Sequence, residues 1–178
     1  MALVIGINKY TLQTESCLEG AVLDADAVED FLKRYLNVPD TNIISLRDEQ
    51  ASRASILLAF SSLRDDVKYK KDEAAIIIYF AGHGAQVDKP EEWQDWDTSS
   101  GRIEMLCPSD MGCYNQEGVV IPGIPDRTIA VLLNHISDVK GNNIVSLFLI
   151  LQELNLIAVE DSHFGLLQLG WNQSWGGL

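Results

Sequence analysis

The sequence predicts an α/β fold, in which a mostly parallel sheet carries helices on both faces. Short apolar runs alternate along the chain with longer segments of helical periodicity, which is typical of βαβ units. The run from Ala74 to Phe80 is rich in isoleucine and aromatic residues and indicates a strand buried on both faces. With 178 residues, the chain is long enough for one domain with a sizeable core.

From the N-terminus, the sequence predicts two strands with a helix between them. Ala2–Ile7 predicts a buried strand, Asn8–Glu19 a loop, and Gly20–Tyr35 an amphipathic helix. The buried side of this helix is expected to consist of Ala21, Ala25, Val28, Phe31, Leu32 and Tyr35. Pro39 ends the helix, and Asn42–Leu46 predicts a second strand.

A second helix is expected to begin after Ser52, whose side chain suits the N-cap position. Its buried side is expected to consist of Ile56, Leu57, Phe60, Leu63 and Val67. The central strand follows and is expected to end before Gly82-His83-Gly84, after which the polar segment Ala85–Gly101 shows no regular period.

The remaining elements are shorter strands and one more helix. Arg102–Leu106 and Val119–Ile121 predict short strands, and Asn143–Ile150 predicts a last buried strand. The third helix is expected to have Asp126 as N-cap and to stop at Gly141. Its buried side is expected to consist of Ile129, Leu132, Leu133, Ile136 and Val139.

The amino-acid composition limits the kinds of molecule that the chain is expected to bind and the compartment in which it is expected to occur. The formal net charge of −13 argues against nucleic acid or an anionic membrane as the main partner. The longest strongly apolar stretch, Ile144–Leu151, is too short to span a bilayer. Three cysteines form no disulfide framework and suit a reducing compartment, so we expect a cytoplasmic location. The oligomeric state is left open by the sequence.

His83 is the first candidate functional residue. In a parallel α/β sheet, ligands and chemistry collect beyond the carboxyl ends of the strands, and His83 follows the central strand. Glycines on either side of the histidine remove side-chain bulk, so another backbone or a substrate can approach the ring. The alternative is a tight turn that contains a histidine without using it.

Four segments carry a resemblance to a known family. They are ALVIGIN at Ala2–Asn8, LEGAVLDA at Leu18–Ala25, IIIYFAGHG at Ile76–Gly84 and IPDRTIAVLL at Ile124–Leu133. In this order and spacing they resemble the caspase-like domain of metacaspases, closest to the fungal C14 peptidases. The likeness covers about Ala2–Ile144, within a domain taken as residues 1–150, and leaves residues 151–178 as an unmatched tail.

The resemblance implies a cysteine-type endopeptidase that acts on peptides or proteins through a Cys–His dyad. It makes His83 the catalytic histidine, and it makes the backbone N–H of Gly84 a donor to the oxyanion hole. Asp24 matches the acidic residue of a pocket for Arg or Lys, since a carboxylate is a natural partner for such a cation. The alternative for Asp24 is a solvated acid on a helix.

The chain departs from the family where the nucleophile belongs. The family's D-x-C-H-S-G pattern on the last strand is missing, its aspartate included, and no cysteine follows Cys113. Cys17, Cys107 and Cys113 are interpreted as buried or incidental thiols, and the family's second cysteine corresponds to Ala21 rather than Cys17. We therefore expect the nucleophile to be absent and the C-terminal strands of the sheet to be missing, through a retained intron or a truncated gene model.

Three hypotheses about function follow. The first is a C14-type endopeptidase domain by descent that does not hydrolyse peptides. The second is a caspase-like pseudo-protease that acts as an interaction or regulatory module. The third is a generic α/β binding domain with GHG as an anion-binding turn. It is the weakest of the three, because the chain has no phosphate-loop lysine at that turn.

Calcium is the one cofactor that the resemblance suggests. Acidic residues that offer oxygen ligands are Glu91, Glu92, Asp95, Asp97, Glu104 and Asp110. Their spacing does not match the acidic run of calcium-dependent members, so a solvated acidic loop is the preferred interpretation and no metal site is predicted. His135 and His163 show no zinc-ligand spacing and are interpreted as structural or surface residues.

Overall fold

The computed structural model describes residues 1–12, 17–89, 101–155, 157–158 and 167–168, with side chains up to residue 150. The strands are β1 (Ala2–Gly6), β2 (Ile43–Arg47), β3 (Ile76–Asp88), β4 (Arg102–Leu106), β5 (Ile124–Pro125), β6 (Ile144–Asn155), β7 (Ile157–Ala158) and β8 (Leu167–Gln168). The helices are α1 (Ala21–Arg34), α2 (Arg53–Asp65) and α3 (Asp126–Lys140). Within these residues, no helix is both long and apolar enough to cross a membrane.

The sheet is mostly parallel and is built around β3. β1 lies parallel to β2 and to β3, and β6 lies parallel to β3 on its other edge. β4 is antiparallel to the second half of β3, and β5 is antiparallel to β4. The predicted α/β fold with a mostly parallel sheet is therefore confirmed.

Helices cover both faces of this sheet. On one face, α2 and α3 bury Phe60 and Ile136 against strand residues such as Leu3 and Phe80. On the other face, α1 packs its small residues Ala21 and Ala25 against β1 and β3. Successive side chains of a parallel strand point to opposite faces of the sheet, and both faces are covered here by helices. The sequence of such a strand is therefore a continuous apolar run and not an alternation of apolar and polar residues.

The helix ends agree closely with the sequence. Ser52 caps α2, since its side-chain oxygen accepts the Ser55 N–H at 3.2 Å. Gly141 ends α3 with φ of 92°, a conformation that favours glycine. The prediction of Asp126 as N-cap is wrong by one position, because Pro125 occupies that place and Asp126 is the first helical residue.

Three apolar residues predicted to be buried on α1 and α2 are exposed. Phe31 and Tyr35 lie at the surface and stack on each other, with ring centroids 5.4 Å apart. They are exposed because the contact side of α1 is narrow and consists of Ala21, Ala25 and Leu32. Val67 lies beyond the end of α2 and is 97% exposed. On α3, Val139 is likewise exposed, although Ile129 and Ile136 are buried.

Three predictions about strands also differ from the structure. β3 does not end before Gly82 but continues to Asp88, because β4 supplies a new pairing partner where β1 ends. Asn143–Ile150 is a strand as predicted but is not buried: side chains from Val145 to Ile150 are exposed. Val119–Ile121 forms only a single bridge, between Tyr114 and Val120.

Gly6 is the position where α1 approaches β1 most closely, and it provides a test of this packing. A Cβ at Gly6 would lie 2.6 Å from the Ala25 Cβ and 2.7 Å from the Ala21 carbonyl oxygen. We expect Gly6→Ala to lower the free energy of unfolding by about 2 kcal/mol or more, as overpacking does. Urea unfolding followed by circular dichroism measures the loss.

Gly20→Ala is the matched control for this substitution. A Cβ at Gly20 meets only the Asp24 carboxylate, at 3.9 Å. We expect this variant to keep the stability of the native chain within about 0.5 kcal/mol. Equal effects of the two substitutions would contradict the close approach of α1 to β1.

Candidate functional site

His83 lies at the junction where β3 leaves one neighbour and meets another. The Ile7 N–H donates to the Ala81 carbonyl at 2.9 Å, at the end of the pairing with β1. The Cys107 N–H donates to the His83 carbonyl at 3.1 Å, at the start of the pairing with β4. Because Ala81 and His83 direct these groups to the same edge, β1 and β4 follow one another along that edge of β3.

Tyr10 fills the gap between these two pairings. Its hydroxyl oxygen accepts the His83 backbone N–H at 2.7 Å, and the two rings lie 4.7 Å apart at 40°. Gly82 makes room for this contact, because a Cβ there would lie 2.8 Å from the Tyr10 hydroxyl. Burial raises the pKa of Tyr10 far above its ordinary value, so the hydroxyl stays neutral.

The loop that carries Tyr10 is held at several points. The Asp48 carboxylate accepts the backbone N–H groups of Asn8 at 2.8 Å and of Lys9 at 3.0 Å. The Asn8 side chain in turn accepts the Val22 N–H at 3.1 Å in the first turn of α1. It thereby satisfies an N–H that Gly20, the N-cap residue without a side chain, cannot reach.

Asp24 lies in the same first turn of α1 and is partly exposed. Burial, and to a lesser degree the Asp24 carboxylate, raise the pKa of Tyr79 on β3. The carboxylate is therefore close to β3, on the face of the sheet that α1 covers. Its role as the acid of a pocket for Arg or Lys stays a prediction.

β6 occupies the edge of β3 where the resemblance expects the nucleophile's strand. Its residues pair in parallel with β3, and the register shifts next to the histidine. Gly82 pairs with Ile150 and His83 pairs with Gln152, which leaves Leu151 as the extra residue between them. None of these three β6 residues carries a thiol or a hydroxyl.

The backbone of Gly84 points toward β6. Since His83 directs its N–H and C=O to the edge shared by β1 and β4, the next residue directs its own groups to the opposite edge. Gly84 is buried and pairs with Glu153, and the pairing of the two strands continues to Gln86 and Asn155. The oxyanion role of the Gly84 N–H stays a prediction, and in this arrangement the N–H faces a strand.

The thiol nearest this junction belongs to Cys107. It is 1% exposed, and burial raises its pKa to about 12, so it is protonated at neutral pH. His83 is itself fully buried, with 0% exposure. Cys17 is exposed beside the β1–α1 loop, and Cys113 is half-buried in the turns after β4. The interpretation of Cys107 as a buried thiol agrees with its burial, but its place beside His83 was not anticipated.

Of the acidic residues considered for calcium, two lie in the described part of the chain. Glu104 is exposed on β4, and the Asp110 carboxylate accepts the Arg53 N–H at 2.8 Å at the start of α2. Glu91, Glu92, Asp95 and Asp97 lie outside the described residues, as does His163. Across the part of the chain that is described, no group of three acidic, histidine or cysteine side chains is placed to hold a metal ion. His135 is exposed on α3.

Tyr10 and Lys140 are the residues that the sequence did not single out. Tyr10 has a weak signal, an aromatic residue just beyond the carboxyl end of a buried strand. Lys140 is buried at the end of α3, where its ammonium group donates to the backbone carbonyls of Asp66 and Tyr69. This lysine joins α3 to the turn before β3, and its role is structural.

Comparison with known proteins gives consistent matches. The caspase-domain model of the C14 peptidases matches residues 1–138. Metacaspase-1 of Candida albicans is 34% identical over 127 residues, which are 67% of this chain and 26% of that protein. Metacaspase-3 of Arabidopsis thaliana is 26% identical over 137 residues, which are 75% of this chain and 35% of that protein. The chain thus spans about a quarter to a third of these relatives.

A solved structure gives the same fold. The crystal structure of a protein from Geobacter sulfurreducens superimposes with a TM-score of 0.57 and covers 87% of this chain and 49% of that chain. The sequence identity is 16%, so this likeness concerns the fold alone.

Tyr10→Phe tests the hydrogen bond that holds the His83 backbone. The substitution keeps the ring and removes the acceptor of a buried N–H, which costs about 1 to 3 kcal/mol in the free energy of unfolding. Tyr35→Phe is the control, since Tyr35 is 73% exposed and its loss of a hydroxyl is expected to change stability by less than about 0.5 kcal/mol. Urea unfolding of both variants measures the difference, and an unchanged Tyr10→Phe variant would contradict the assignment.

Proposed function

Because the chain belongs to the caspase-domain family of C14 peptidases, we propose that it carries the histidine half of a cysteine-endopeptidase site and does not hydrolyse peptides itself. The observation that carries the proposal is the register of β6. The residues it brings beside His83 are Ile150, Leu151 and Gln152. None of them can supply the nucleophile that a Cys–His dyad needs.

The chemistry of the dyad explains why this absence matters. A thiolate must attack the peptide carbonyl, and an imidazole within hydrogen-bond reach must manage the proton. Cys107 does not replace the missing group, because its buried thiol has a pKa of about 12. His83 is also fully buried, so a peptide reaches its ring only if the surrounding chain moves.

Peptides that contain Arg or Lys are the proposed ligand class. Asp24 lies near Tyr79 at the start of α1, on a chain with a net charge of −13. Both the local carboxylate and the general charge attract a basic side chain. A binding role of this kind does not need the missing thiol.

A second candidate function is a caspase-like interaction module. The observation that favours it is the exposed apolar surface of β6, where Val145 and Leu147 are each more than half exposed. Apolar residues grouped on an exposed strand mark interaction sites in soluble proteins. Under this hypothesis, binding of the partner is unaffected by His83→Ala.

Restoring the thiol tests the proposed site. Leu151→Cys puts a cysteine at the register shift of β6, between the partners of Gly82 and His83. With a fluorogenic peptide that ends in Arg, we expect no turnover by the native chain and measurable turnover by Leu151→Cys. Adding His83→Ala to that variant removes the general acid–base group, and we expect its rate to fall about 100-fold or more.

Two results would contradict the proposal. Turnover by the native chain that disappears with His83→Ala would show that a nucleophile is already present. A Leu151→Cys variant that folds like the native chain by circular dichroism, but has no turnover, would show that a thiol at residue 151 does not complete a working site with His83.

A further inference from the structure

We propose that the cavity between α3 and the antiparallel pair of β3 and β4, called here the α3 cavity, binds a small organic cation: an ammonium group carried on an apolar body. The cavity has a volume of about 330 Å³. Pockets that hold small molecules start at about 300 Å³, and a cavity of about 150 Å³ is enough for benzene. The inference concerns a face of the sheet other than that of Asp24, and it does not depend on the proposed function.

The floor of the α3 cavity is apolar and buried. It is lined by Ala85 of β3, Met105 and Leu106 of β4 and Ile129 of α3, each of which is at most 9% exposed. An apolar ligand body that covers this floor removes both surfaces from water, which is favourable. The floor therefore selects the apolar part of a ligand.

The α3 cavity belongs to the body of the domain. Of its eleven lining residues, nine lie within residues 84–133, inside the part of the chain that matches the caspase-domain model. Phe148 and Ile150 of β6 complete the wall, and both side chains are 37% exposed. The shape of the cavity is thus set mainly by α3 and the two strands that it packs against.

Two carboxylates lie at the rim of the α3 cavity. Met105 pairs with Pro125 in the antiparallel ladder of β4 and β5, so Glu104 and Asp126, the next residues along, are neighbours across that ladder. Both residues line the cavity and are exposed. Because like charges opposite one another repel, a cation bound between the two carboxylates is stabilised.

The rim holds no cation of its own. None of the lining residues is a lysine, an arginine or a histidine. Among the ion pairs of the described residues, none includes Glu104 or Asp126. The Asp126 carboxylate accepts the Arg127 backbone N–H at 2.6 Å, a contact that does not neutralise its charge. An ammonium group supplies the missing counter-charge.

A small molecule suits the α3 cavity better than an extended peptide or a metal ion. β4 pairs with β3 on one side and with β5 on the other, so the backbone of the floor has no free groups for a peptide backbone. Calcium takes six or more oxygen ligands, and the described residues place no three acidic, histidine or cysteine side chains to hold a metal ion.

An NMR titration of the ¹⁵N-labelled full chain at pH 7 tests the proposal with three probes of similar shape. They are 2-phenylethylamine, a cation, 2-phenylethanol, which is neutral, and phenylacetate, an anion. We expect the amine to bind with a Kd of about 1 mM and to shift the amide signals of Ala85, Met105 and Ile129 most. We expect the alcohol to bind at least about fivefold more weakly and phenylacetate not to bind.

Two substitutions separate the charge of the rim from the space of the cavity. Glu104→Gln is expected to weaken binding of 2-phenylethylamine about fivefold and to leave binding of 2-phenylethanol unchanged. Ala130→Leu adds bulk at an exposed lining position of α3 and is expected to weaken both probes at least about tenfold. Glu117→Gln and Ala54→Leu are the matched controls, since both positions are exposed and neither lines the cavity.

Three results would overturn the proposal. Equal affinities for 2-phenylethylamine and 2-phenylethanol would show that the rim does not select a cation. Shifts that are absent, or that map away from the α3 cavity, would show that the probe does not bind there. Binding that changes no more in Glu104→Gln and Ala130→Leu than in their controls, with all variants folded by circular dichroism, would also contradict the assignment.

Discussion

The hydrogen bond from the His83 N–H to the Tyr10 hydroxyl closes the one gap in the pairing of β3. Before it, β3 pairs with β1, and after it, with β4, while β6 runs along the other edge. A buried N–H needs an acceptor, and none of the strands that the structure describes supplies one between the two pairings. Tyr10 reaches this place because Gly82 has no side chain that would meet its hydroxyl. Asp48 also holds the loop that carries Tyr10, through the Asn8 N–H.

This arrangement fixes the backbone of His83 just beyond the parallel pairing of β3 with β1. A Cys–His dyad needs a thiolate beside the histidine, and the residues next to His83 do not provide one in the proposed account. Leu151 occupies the register shift of the neighbouring strand, and burial raises the pKa of the Cys107 thiol, so that thiol is protonated at neutral pH. Under the proposed function, the chain therefore keeps the histidine of the site and lacks its reactive group.

The sequence predicted the parallel part of the fold because buried strands and amphipathic helices leave strong local patterns. Ser52 and Gly141 marked helix ends through their own side chain and backbone. The continuation of β3 beyond Gly84 was not predictable in this way, because it depends on β4, which comes much later in the chain. Burial of Val145–Ile150 was predicted from composition alone, which does not show whether another element covers a strand. His83 was found from its pattern, whereas the role of Tyr10 appears only in three dimensions.

The central claim is that no thiol of this chain works with His83. An electrophilic ketone that carries an arginine side chain labels the thiolate of a Cys–His dyad, and peptide mapping by mass spectrometry locates the adduct. The account predicts no adduct on Cys107 in the folded chain, and labelling of Cys17 and Cys113 that is the same in the native chain and in His83→Ala. Rapid labelling of one cysteine that is lost in His83→Ala would contradict the account.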